Sequence, residues 1–231
     1  MQTDPMLSLR LAPRLRDALH ALGLVLDDDR QETLLRFLTE LQRWNRTYNL
    51  TAIRDPEEML VHHLFDSLSV IPVLDNILDK NTVSTPVILD VGSGGGLPGI
   101  VIAIVRPWDV HCVDAVSKKT AFVRQMSARL GLPKLKAHHA RVEALESLQA
   151  NIVICRAFAS VADFVALAGH HAAPGASLIA MKGQPTRDEL DALAQLSDWR
   201  LSATHTLEVP ELVAQRCALQ INRKEGHEEH H

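Results

Sequence analysis

From residue 87 onward, short apolar runs of strand length alternate with stretches of helical period, and no other feature of the chain limits its fold so tightly. "PVILDV", "DVHCVD", "KLKAHHA", "NIVICRA", "ASLIAMKG", "WRLSATHTLEV" and "RCALQINR" are seven strand candidates. "PGIVIAIV" is apolar all round and predicts a buried helix that stops before Pro107. "SKKTAFVRQMSARLG" predicts a helix capped by Ser117, striped by Phe122, Met126 and Leu130, and ended by Gly131. Ser160 with Asp163, and Thr186 with Glu189, have capping-box spacing and open two further helices, the first ending near "HHAAPG". Strands separated by helices return by crossovers, not hairpins, so residues 86–223 predict an α/β domain: a mostly parallel seven-stranded sheet with helices on both faces.

The first 80 residues carry a different pattern and predict a helical extension. Asp29 and Glu32 have capping-box spacing ahead of "TLLRFLTELQRW", where Leu34, Leu35, Leu38, Leu41 and Trp44 recur at three and four. A second helix begins at "DPEEML", with Asp55 as cap, Pro56 at the first helical position and a stripe of Met59, Leu60, Leu64 and Leu68. "NRTYNLTAIR" between them reads as an exposed connection, and "LDKNTVSTP" as a linker ending at Pro86. Residues 224–231 read as a frayed tail without function.

Composition removes several functions. With 231 residues, 46% hydrophobic and 23% charged, the chain is of ordinary globular character. A formal net charge of -4 argues against nucleic-acid binding by bulk electrostatics, which needs clustered Lys and Arg. Cys112, Cys155 and Cys217 are far apart and in no ligand spacing, as expected of reduced thiols in core strands. The doubled histidines at 62, 138 and 170 have no metal register either; they read as surface or packing residues, and no metal is expected. There is no signal pattern, and the longest unbroken apolar run, residues 100–105, falls far short of the ~20 residues of a membrane span. A cytoplasmic protein is expected, with no membrane and no DNA partner.

Chemistry concentrates in "LDVGSGGGLPGI". Gly92, Gly94, Gly95 and Gly96 make the turn after the first strand, where backbone amides and a helix N-terminus meet ligands in open parallel sheets. A dinucleotide fingerprint would need glycine at 97, where Leu97 stands; the loop fits the shorter G-x-G-x-G of S-adenosylmethionine (SAM) methyltransferases. Asp90 precedes it by two positions and suits a cationic sulfonium and ammonium. Asp114 closes the next strand 24 positions after Asp90, near the ~20-residue spacing of a ribose-binding carboxylate. After the fourth strand "ICRAFAS" stands in place of an N-P-P-Y loop or a Pro-Cys nucleophile. Guanine N7 needs neither nucleophile nor base: its lone pair lies in the ring plane with no proton to remove, so positioning supplies most of the acceleration.

"RWNRTYNLTAIRDPEEMLVHHLFDSL", "ILDVGSGGGLPGIVIAIVRP", "ARVE", "CRAFAS" and "MKGQ" together resemble the RsmG (GidB) family, over most of the chain. The resemblance implies a Rossmann-like class I SAM-dependent methyltransferase fold and methylation of N7 of guanine 527 in the 530 loop of bacterial 16S rRNA. Its implied partner is that RNA or the small ribosomal subunit particle, met by a monomer. It implies that Gly92, Gly94 and Leu97 line the SAM pocket with Asp90 and Asp114, that Val142 and Glu143 flank the adenine, and that Arg156 lies beside SAM and the entering guanine as the catalytic residue. Asn49, Arg54, Arg141 and Lys182 are RNA candidates, with His63 beside the first two; Lys118, Lys119 and Arg124 read as a solvated helix face. Relatives often carry proline or alanine where Gly95 stands. Methylation of a small molecule or protein, and a non-catalytic RNA-binding assembly role, remain as alternatives; a nicotinamide enzyme is disfavoured by Leu97.

Overall fold

The computed structural model describes residues 5–156, 158 and 160–224. Strands β1 (Val87–Val91), β2 (Asp109–Asp114), β3 (Leu135–His139), β4 (Ala150–Arg156), β5 (Ala172–Lys182), β6 (Trp199–Thr206) and β7 (Cys217–Arg223) form one sheet in the order β3-β2-β1-β4-β5-β7-β6. β1 to β5 pair in parallel, whereas β7 runs antiparallel between β5 and β6. The strand order reverses between β1 and β4. At such a switch point the connections leave in opposite directions, and a crevice opens at the carboxyl ends of the two strands.

Period-two alternation sends neighbouring residues to opposite faces of the sheet. Ile88, Val110, Cys112, Ile152, Ile154 and Ile179 belong to one core cluster, and Leu89, Val91, Val113, Val153, Cys155 and Leu178 to the other. The first face is covered by α1 (Pro5–Ala21), α2 (Asp28–Tyr48), α5 (Ile71–Lys80), α6 (Gly99–Val105) and α7 (Ser117–Arg129). Between α2 and α5 the chain forms α3 (Pro56–Met59), a π-helical stretch Leu60–Phe65 and α4 (Asp66–Ser69). The second face is covered by α8 (Val161–Ala168) and α9 (Arg187–Ala194). Phe37, Phe65 and Phe122 are fully buried in the first layer, each contributing up to about 3 kcal/mol by leaving water.

Several helix ends differ from the sequence reading. The N-cap of α2 is Asp27, whose Oδ1 accepts from the Arg30 amide at 2.8 Å, two residues before the expected Asp29 box. Ser117 does not cap α7; it is the first helical residue, and Asp114 Oδ1 accepts from the Val116 amide just before it. Ser160, Thr186 and Asp55 do cap their helices. "NRTYNLTAIR" is only partly a connection. Its first four residues finish α2, and Asn45 is buried, accepting from the Thr51 amide and donating to the Ile53 carbonyl. The π-helical stretch had no recognisable signal. Residues 225–231 lie outside the described residues, while Lys224 is held by bonds to the Asp198 and Leu196 carbonyls. Among the described residues no helix is long and apolar enough to cross a membrane.

Candidate functional site

The glycine loop is built from below. Asp90 is completely buried at the end of β1, and its Oδ2 accepts from the Gly99 amide at 2.8 Å, locking the start of α6 to the strand. Burial pushes its carboxyl up to about 7. Gly99 is required by contact: a Cβ there would lie 2.4 Å from Cys112 Sγ and 2.8 Å from Asp90 Oδ2. Gly92, Gly94 and Gly96 all take positive φ, which glycine adopts at no steric cost. Gly95 lies under α2, where a Cβ would stand 3.0 Å from Leu41 Cδ1. Two sequence expectations are therefore corrected. Asp90 lies beneath the loop and outside the cavity wall, its Oδ2 bound to the Gly99 amide and its Oδ1 buried without a hydrogen-bond partner, and Leu97 turns down into the core at 4% exposure and does not line the cavity.

Above the loop, a cavity of about 260 Å³ opens at the carboxyl ends of β1, β2 and β3, with Phe158 reaching it from just beyond β4. Gly92, Asp114, Val142 and Glu143, all expected there, line it together with Phe158, Leu167 and the RNA candidate Arg141. A Cβ at Gly92 would meet no protein atom within 4 Å, so the backbone presents itself bare to the open space. Asp114 spans the floor: Oδ2 accepts from the Gly94 amide at 3.0 Å, Oδ1 accepts from the Val116 amide, and Lys119 Nζ stands 3.7 Å away. Gly94 thus holds Asp114 and is not itself part of the wall. The opposite wall is apolar, formed by Val142, Phe158 and Leu167. Phe158 packs on Phe164 with ring centroids 5.6 Å apart.

Arg156 ends β4 two residues before Phe158, and it is not alone. Its Nη1 donates to the His62 carbonyl at 2.9 Å and to Asp66 Oδ2 at 3.1 Å, while Arg216 Nε donates to Asp66 Oδ1 at 2.8 Å. Asp66 is buried, so one carboxylate is shared by two guanidiniums and the cluster carries a net positive charge. The π-helical stretch assembles this cluster, supplying the His62 carbonyl and His63 and leading directly into Asp66. His63 is buried, with Nε2 2.8 Å from Thr51 Oγ1 and Nδ1 3.5 Å from Arg156 Nη2. Desolvation, then the neighbouring Arg156 charge, hold its imidazole down to about 4, so it is neutral near pH 7 and does not face solvent as an RNA contact.

The remaining candidates do not converge on the cavity. Asn49 is the left-handed C-cap of α2 and accepts from Arg54 Nη2 at 3.2 Å, so the two form an exposed pair. Lys182 is committed to Glu189, which also closes the capping box of α9, and this pairing withdraws its ammonium from ligands. Cys112 and Cys155 are buried, and desolvation raises both thiols well above their ordinary range. Among the described residues no group of three or more His, Cys, Asp or Glu side chains could hold a metal ion.

The profile of the rRNA small subunit methyltransferase G (GidB) family matches residues 30–219. The chain belongs to that family. The ribosomal RNA small subunit methyltransferase G of Bordetella pertussis is 55% identical over 217 residues, 93% of this chain and 94% of that protein. The enzymes of that name from Bordetella petrii (53% over 214 residues, 92% and 83% covered) and Leptothrix cholodnii (50% over 197 residues, 85% and 88%) are similar across nearly the same span. Among solved structures, the SAM-bound magnesium protoporphyrin IX methyltransferase of Synechocystis aligns with a TM-score of 0.56 at 16% identity, covering 87% of this chain and 99% of that one. A SAM-dependent methyltransferase from Aquifex aeolicus aligns at 0.53 and 13% identity, covering 80% and 97%. At such identities these two share the fold alone.

In this methyltransferase the sequence reading missed Asp66, Arg216, Phe158 and Leu167. A faint signal existed for the first: Asp66 is the single carboxylate between Met59 and Leu74, on a helical run rich in apolar residues, where burial demands a partner. Phe158 and Leu167 look like ordinary core residues, and only the strand order turns them toward the crevice.

Proposed function

We propose that this RsmG-family methyltransferase binds S-adenosylmethionine in the cavity above β1 and β2 and methylates N7 of guanine 527 in the 530 loop of 16S rRNA. The observation that carries the reading is the composition of that cavity at the switch point: a bare glycine backbone, one carboxylate held in place by two amides, and an apolar slot. Asp114 keeps acceptor capacity beyond its two amide bonds and suits ribose hydroxyls. Val142, Phe158 and Leu167 suit the two faces of a purine, with Glu143 and Arg141 at the rim. When bound, the cofactor supplies an electrophilic methyl on a sulfonium.

The protein's share is positioning. Arg156 is fixed by the His62 carbonyl and Asp66 with Nη2 toward His63, and its 19% exposed side chain leaves unspent donors for a substrate. They can hold the O6 edge of a guanine or its phosphate while N7 aligns with the methyl. No proton has to leave N7. A neutral His63 and deeply buried thiols suit a reaction without base or covalent intermediate. With a net charge of -4, RNA shape or proteins of the small-subunit particle supply part of the affinity.

The test is transfer of labelled methyl from SAM to small-subunit particles purified from cells lacking this protein, with the product nucleotide mapped by mass spectrometry. One N7-methylguanine in the 530 loop is expected, and Arg156→Ala should lower kcat by about 100-fold through lost alignment while SAM still binds. SAM binding without incorporation into particles or naked 16S rRNA would sink the assignment.

A further inference from the structure

The cavity wall at Arg141 to Ala144 is a single turn of 3-10 helix, Val142–Ala144, followed by an irregular run to β4 in which Gln149 is left-handed. So short a segment makes few bonds of its own, yet its position sets the width of the slot. Its outer support is the doubled histidine before β5. Gly169–His171 form a second 3-10 turn, and four hydrogen bonds join it to this stretch of chain, one to the wall at Val142 and three to residues 145–148 just after it. His171 Nε2 lies 3.0 Å from the Val142 carbonyl, and the Leu148 amide donates to His171 Nδ1 at 3.3 Å. His170 Nε2 lies 3.2 Å from the Leu145 carbonyl, and Ser147 Oγ donates to the His170 carbonyl at 2.9 Å.

We propose that His171 is a positioning residue for the cofactor, clasping the Val142–Ala144 wall from behind so that Val142 and Glu143 stand at the right distance from Phe158 and Asp114. This rests on the reading of the cavity as the cofactor site. The two partners determine the imidazole's form. A carbonyl only accepts, so Nε2 carries the proton; an amide N–H only donates, so Nδ1 is bare. His171 is therefore the neutral Nε2–H tautomer, fully buried, with both nitrogens spent on the same loop. Protonation at Nδ1 would set two N–H groups against each other. Burial, partly offset by the bond to the Val142 carbonyl, holds the imidazole below its ordinary value, and His170 and His138 act in the same direction as burial. α8, packed over the same turn, brings Val161, Phe164 and Val165 to the second core and has Asp163 as its one charged residue. The residue never touches the cavity and acts only through the backbone it holds.

The experiment compares KM and Kd for SAM with kcat in the intact protein and in His171→Phe, His171→Gln, and the double variant His170→Ala with Ser147→Ala. Phenylalanine keeps the ring volume and removes both bonds. It should raise KM and Kd for SAM about ten-fold, the cost of one buried hydrogen bond pair, with kcat at saturating SAM within two-fold or so of the parent. Glutamine restores a donor at the Nε2 position and should recover part of the loss. The double variant alters only exposed parts of the clasp and tests it without disturbing the core, so a His171→Phe protein that failed to fold would leave the answer to it and to His171→Gln. It should raise KM about three-fold. Unchanged KM in all three, or a fall in kcat alone, overturns the proposal. If the parent itself shows no SAM binding by calorimetry, the cofactor reading fails; if the parent binds and Asp114→Ala weakens it while the histidine variants do not, only the clasp fails.

Discussion

Asp66 is the buried carboxylate on which the cluster beside β4 is built. It lies almost wholly out of water and is the shared acceptor of Arg156 and Arg216, whose side chains are 19% and 28% exposed. Desolvating a carboxylate is costly, and two charge-assisted bonds offset that cost only while all three groups are present. Asp66→Asn leaves two guanidiniums facing a neutral amide and should lower the free energy of unfolding by about 3 kcal/mol, read from urea midpoints. Adding Arg216→Gln should recover part of it, since one of the two opposed cations is gone; a double variant as unstable as the single would refute shared compensation. Asp90 makes the opposite prediction. Its carboxyl is raised from 3.8 to about 7, so the folded state holds a proton that the unfolded chain releases. Its contribution is fully present below pH 4 or so and is lost as pH rises toward 7. Asp90→Asn keeps an acceptor for the Gly99 amide and should flatten the decline of stability between those pH values. A variant whose stability falls with pH as steeply as the parent's would show that the proton sits elsewhere.

At the scale of elements, the site depends on how closely α6 can approach the sheet. Gly99 is the point of closest packing, and a methyl there collides with both Cys112 and Asp90, neither of which can retreat from a full core. Gly99→Ala should therefore destabilise by about 1–3 kcal/mol and widen the gap between α6 and β1, disturbing the glycine loop with it. Gly131→Ala is the matched comparison. Its φ is +66 but a Cβ would meet nothing within 4 Å, so only backbone strain of about 1 kcal/mol is expected. Comparable denaturation midpoints for the two would mean that α6 has room to shift. The π-helical stretch is the second decisive element, because an ordinary α-helix would not deliver the His62 carbonyl, His63 and Asp66 to Arg156 in the same way.

Across the whole molecule, the helical N-terminal segment and the sheet share one core. Leu15, Leu34, Phe37 and Leu41 lie in the same cluster as Ile88, Ile100 and Ile154. Arg14 of α1 adds ion pairs to Glu57 and to Glu211, which precedes β7. We therefore expect the described helical segment from residue 5 to 80 to unfold together with the sheet domain. Trp44 and Trp108 report on the first layer and Trp199 on the second, so fluorescence and far-UV circular dichroism should trace one superimposable transition. Two separated transitions would show that the helical segment melts by itself.

By itself the sequence determined the alternation of strands and helices, the glycine loop and the carboxylate of Asp114, since each rests on local chemistry: hydrophobic period, glycine's access to positive φ, and a charged residue at a strand end. Those signals sufficed to bring Gly92 and Asp114 to one cavity, where Val142 and Glu143, named only through the family resemblance, join them. Tertiary structure alone decided which polar groups face a ligand and which serve the scaffold. Asp90 and Leu97 sit two and five positions from Gly92, yet one anchors α6 and the other fills the core. Lys182 is drawn to Glu189, and His171 to the Val142 wall. Asp66 meets Arg156 across 90 residues and Arg216 across 150. A local pattern specifies an element and its buried stripe, but the partner of a buried charge is chosen by whatever the fold brings within hydrogen-bonding distance, and sequence separation carries no record of that.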